Sequence, residues 1–92
     1  MEFDSEHKVK IETLMSPEDK AFLEFLTKEL ERHDHERMEC IEEMSVAHAK
    51  IPFDPDYYEA LYDFWNSAKL RHERDIRDTT KKINRVKEIF GI

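Results

Sequence analysis

The sequence predicts an all-α fold in which two long helices form an antiparallel two-helix hairpin. Three observations carry that reading. Apolar residues recur at alternating spacings of three and four over two long stretches, the period that gathers side chains on one face of a helix. One glycine and three prolines in 92 residues leave little material for the turns of a sandwich or a barrel. The segment Lys50-Ile51-Pro52-Phe53-Asp54-Pro55-Asp56 is the one convincing break between the stretches.

Residues 1–15 are expected to form an extended or partly disordered N-terminal arm. Lys8-Val9-Lys10-Ile11-Glu12-Thr13-Leu14 alternates in the manner of a strand, and fraying is the default over residues 1–7. Ser16-Pro17-Glu18-Asp19 then supplies a hydroxyl cap, a proline at the first helical position and acids where the helix dipole is positive. The first helix is predicted over about 17–49. Its stripe is Leu23, Leu26, Leu30, His33, Arg37, Cys40, Met44 and Ala47, widened by Phe22, Phe25 and Ile41.

Pro52 stops that helix, and Asp54-Pro55-Asp56 repeats the starting signature. A second helix is predicted over about 55–90, with Gly91 as its terminator. Its stripe runs Tyr58, Leu61, Trp65, Ala68, His72, Ile76, Thr79, Ile83, Val86 and Phe90. Counting outward from the turn pairs Ala47 with Tyr58, Met44 with Leu61, Cys40 with Trp65, Arg37 with Ala68, His33 with His72, Leu30 with Ile76 and Leu26 with Thr79.

Ninety-two residues make one small domain (16–92 for the helical part), with so modest a core that partner chains are expected. Charged residues reach 40%, but ten aromatics and the clear periodicity argue against disorder for most of the chain. The net charge of −7 is uneven: −11 over residues 1–68 and +4 over residues 69–92. Overall acidity argues against nucleic acid as the main partner. A single cysteine excludes an intrachain disulfide, no leader pattern is evident at the N-terminus, and no apolar run approaches the roughly 20 residues that span a bilayer. A soluble cytoplasmic protein with no membrane association is the expectation.

Six of the ten aromatics, Phe53, Tyr57, Tyr58, Tyr62, Phe64 and Trp65, fall within thirteen residues near the turn. Tyr57, Leu61, Phe64 and Ala68 make one helical row and Tyr58, Tyr62 and Trp65 the next, a face broad enough for two neighbours. Each large aromatic left in water forgoes roughly 1.5–3 kcal/mol of burial. Pairing two hairpins into a four-helix bundle, as a homodimer or higher homo-oligomer, covers that face, and Tyr58, Leu61, Tyr62 and Trp65 are the expected interface.

Chemistry is suggested only by two polar runs, Glu31-Arg32-His33-Asp34-His35-Glu36-Arg37 and Arg71-His72-Glu73-Arg74-Asp75, which the hairpin sets side by side. His33 and His72 occupy seam positions. Glu29 and Glu36 stand one turn either side of His33, and Asp75 one turn after His72. Neutral nitrogen and anionic oxygen donors converging in a bundle suit zinc, manganese or iron, so His33, Glu36, His72 and Asp75 are the candidate metal ligands.

Ferritin-like di-iron bundles use Glu-x-x-His on two of four helices. This chain has no Glu-x-x-His and offers His33-x-x-Glu36 and His72-x-x-Asp75 instead, so the likeness is one of architecture only. The competing reading is a polar layer that fixes the register of the bundle.

Outside these runs, His35 with Glu31 and Glu39 reads as a solvated row, His48 as a helix-end cation, and Arg74, Arg77, Lys81 and Arg85 as a basic row interrupted by Asp75 and Asp78. Cys40 is expected in the seam as a small apolar residue, Ser16, Ser45 and Ser67 lack a base, and one glycine cannot build a phosphate loop. No catalytic residue is predicted. The first functional expectation is a non-enzymatic oligomerisation and interaction module, binding itself or another helical protein. The alternative is a metal-binding bundle holding a divalent or iron ion, for oxidation or storage.

Overall fold

The computed structural model describes residues 15–92, so the arm predicted over 1–15 lies outside the described residues except for Met15, which is buried. Two helices, α1 (Pro17–Lys50, 34 residues) and α2 (Pro55–Phe90, 36 residues), pack along their length as an all-α hairpin. Among the described residues no helix is long and apolar enough to cross a membrane.

Local chemistry sets both ends of both helices. Ser16 Oγ accepts from the Asp19 amide at 3.1 Å, and the Asp19 carboxylate accepts from the Ser16 amide at 3.2 Å, a reciprocal capping box ahead of Pro17. At the turn the Phe53 amide donates to the Lys50 carbonyl, and the Asp54 carboxylate accepts from the Tyr57 amide at 3.4 Å to start α2. Gly91 closes α2 at φ 69° and ψ 30°, left-handed backbone that a Cβ disfavours, with its amide and that of Ile92 reaching back to Glu88 and Lys87.

The seam follows the stripes. Leu26, Cys40 and Ala47 of α1 and Ala68, Thr79 and Ile83 of α2 are buried, small or medium side chains that allow close approach of the helices. Near the turn, Lys50 Nζ lies 5.9 Å from the centre of the Tyr58 ring, and the His48 and Tyr62 rings are 6.1 Å apart.

On α2 the spacing has a local irregularity. Ala68, His72 and Ile76 are two successive steps of four, where the rest of the stripe alternates three and four. Such a stutter unwinds the seam locally, and Asp75 and Ile76 are accordingly both half-buried, one on each side of it. That detail brings a carboxylate to the middle of the hairpin.

Candidate functional site

The middle of the seam is polar. His33 of α1 and His72 of α2 face one another with ring centres 5.9 Å apart and planes tilted by 41°. Both sit at stripe positions, which is why they point inward although the residues flanking them in sequence are charged. Their side chains are 13% and 22% exposed, and Nδ1 of each is buried with no hydrogen-bond partner among the described residues. A buried polar atom left unpaired is costly, so these two nitrogens are an energetic anomaly among the described residues.

Three carboxylates surround the imidazoles. Asp75 Oδ2 is 3.9 Å from His33 Nδ1, Glu29 Oε2 is 3.8 Å from His33 Nε2, and Glu36 Oε2 is 3.3 Å from His72 Nδ1 without the alignment of a hydrogen bond. One donor atom each from His33, His72 and Asp75 falls within 4.8 Å of the other two. Glu36 touches the layer through His72 and is not one of that mutually close set.

Arg32 ties the acidic rim together. Its guanidinium donates to Glu29 at 2.6 Å and to Glu36 at 3.2 Å, and the bond to Glu29 holds that carboxyl below the usual carboxylate range while raising the arginine's own pKa. Sequence reading placed Glu29 and Glu36 beside His33 but assigned Arg32 no part. The signal was its i, i−3 and i, i+4 spacing to the two glutamates.

The remaining candidates lie elsewhere. His35 Nε2 is 3.0 Å from Glu39 on the exposed side of α1, with both side chains largely in solvent. Arg37 donates to Asp34 at 2.9 Å, and with Glu73, Ile76 and Arg77 these two line a shallow surface depression. Cys40 is buried with a free thiol, which burial pushes above the usual thiol range.

The structure places the expected interface residues Tyr58, Leu61, Tyr62 and Trp65 half-buried against α1. The most open aromatics are their neighbours: Phe53, 83% exposed in the turn, and Tyr57 and Phe64, each more than half exposed. Phe64 meets Trp65 edge-on at 5.2 Å and Tyr57 meets Tyr58 edge-on at 5.0 Å, so the open rings are braced by half-buried ones. No protein-family model, curated protein or solved structure matches the chain.

Proposed function

We propose that the hairpin is a non-enzymatic oligomerisation and interaction module that pairs with a second copy of itself, side by side, to make a four-helix bundle. The observation that carries this reading is the apolar surface left over once the two helices have packed. The hairpin measures 65 × 26 × 15 Å, one helix thick, and among the described residues no large side chain is completely buried. Phe53, Tyr57 and Phe64 at the turn end and Phe22, Phe25 and Ile89 at the open end stay in contact with solvent. Such a surface on a chain this short is what a dimer covers.

Charge favours an antiparallel arrangement of the two copies. Residues 42–64 at the turn end carry six acidic side chains and one lysine, whereas the open end, residues 16–28 and 77–92 together, carries seven basic and five acidic ones. Turning one hairpin end for end sets each acidic turn end beside an open end whose basic side is the last turns of α2, and still covers aromatics at both. The polar layer, near the middle of each seam, then lies toward the middle of the bundle and penalises sliding of the helices.

The test is the mass of the full chain in solution. Light scattering at low micromolar concentration is expected to give twice the 11.2 kDa of the chain. Tyr57→Glu with Phe64→Glu, which places charge on the open row and leaves every seam residue itself in place, is expected to give a helical monomer. A wild-type monomer overturns the proposal, and so does a double variant that remains dimeric.

A further inference from the structure

We propose that His33, His72 and Asp75 form a binding site for a divalent first-row transition ion of the zinc class, with Glu36 and Glu29 backing the two imidazoles and Arg32 holding those glutamates in place. The proposal goes beyond self-association and is tested apart from it.

Four features of the layer converge on a cation. The three donors come from both helices, and all lie within 4.8 Å of one another. A tetrahedral shell with bonds of about 2.0–2.2 Å sets its donors about 3.4 Å apart, so rotamer adjustments and a small approach of the helices complete it. Nδ1 of His33 is buried and, among the described residues, unpaired, and a metal ion satisfies such a neutral imidazole nitrogen where no protein donor does; His72 offers the ion its other nitrogen, Nε2, because Glu36 already stands 3.3 Å from its Nδ1.

Two imidazoles and one carboxylate form a mixed nitrogen and oxygen set. That set suits Zn²⁺, Co²⁺, Ni²⁺ or Fe²⁺; Ca²⁺ and Mg²⁺ demand a shell of oxygens. Finally, carboxylates stand behind the rings: Glu29 3.8 Å from His33 Nε2 and Glu36 3.3 Å from His72 Nδ1, both tied to Arg32. Carboxylates so placed orient metal-bound imidazoles and raise their basicity.

The exposed pair His35 and Glu39 provides the contrast. It offers two donors from one helix, open to water, whereas the layer offers three donors from two helices in a half-buried seam. Three protein ligands leave a coordination position for water or a small anion. Since the donors bridge α1 and α2, an ion bound there favours the closed hairpin by mass action.

The experiment is titration of the full chain with Co²⁺ and Zn²⁺, followed by calorimetry and by the visible absorption of bound Co²⁺. One ion per chain is expected, with the d–d absorption of a low-coordinate nitrogen and oxygen site and without the intense near-ultraviolet band of a cobalt thiolate. His33→Asn and His72→Asn are expected to abolish stoichiometric uptake. Glu36→Gln is expected to weaken it by about 10–100-fold, the usual effect of losing a residue behind a ligand.

His7→Ala, His35→Ala and His48→Ala are expected to bind as the wild type does. If circular dichroism shows the asparagine variants unfolded, Asp75→Asn decides the matter, because that side chain is 44% exposed and its change leaves the packing in place. The proposal is overturned by folded wild-type protein that takes up no stoichiometric ion, by a thiolate band, by uptake that survives His72→Asn or Asp75→Asn, or by uptake that depends on His7, His35 or His48.

Discussion

Cys40 shows how much a single position in a thin seam can depend on its surroundings. Its side chain is 3% exposed, and loss of hydration, reinforced by Glu39 and Glu36, raises its pKa. The folded chain therefore keeps the thiol proton to a higher pH than the unfolded chain. Stability from this group is fully present below the ordinary thiol value, declines as pH rises past it, and stops declining once the folded-state value is passed. The urea midpoint is expected to fall between pH 7 and pH 10 more steeply for the wild type than for Cys40→Ala. Equal slopes would show that Cys40 does not contribute. The same burial predicts that alkylation by a thiol reagent is slow in the folded chain and fast in urea.

Each helix is bounded by chemistry within its own few residues, which makes its ends easy to perturb separately. The Ser16–Asp19 box satisfies amides that α1 would otherwise leave unpaired where Met15 enters the core. Ser16→Ala is expected to cost about 1 kcal/mol, seen as a lower urea midpoint, while Ser16→Thr, which keeps the hydroxyl beside the Asp19 carboxylate, retains most of the stability. The exposed ion pairs along α1, such as Lys28 with Glu24 at 3.1 Å, do not bear comparison with the cap, because water and salt screen them. A cap variant as stable as the wild type would show that α1 is held wholly by its seam.

For the molecule as a whole, shape is the controlling fact. A slab 15 Å thick has no position more than one side chain from its surface, so its helices alone cannot withdraw the aromatics from water. If a second copy covers them, folding is bimolecular and stability rises with chain concentration. A tenfold dilution is expected to lower the melting temperature of the wild type and to leave that of Tyr57→Glu/Phe64→Glu unchanged. A concentration-independent wild-type transition would place the stability within one hairpin.

The hairpin, its break and its caps were legible in the chain because each depends on residues close together in sequence. Periodicity identified the seam stripes, Pro52 the stop, Ser16 and Asp54 the starts, and Gly91 the end. The opposition of His33 and His72 also followed from counting outward from one short turn. Counting could not fix how far each helix rotates about its axis. That rotation, together with the stutter at Ala68–His72–Ile76, brings Asp75 to the histidines and sets Glu36 against His72 alone. It also half-buries Tyr58, Leu61, Tyr62 and Trp65 while leaving Tyr57 and Phe64 open. A helical period assigns a residue to a face; only packing against the other helix decides where on that face the contact ends.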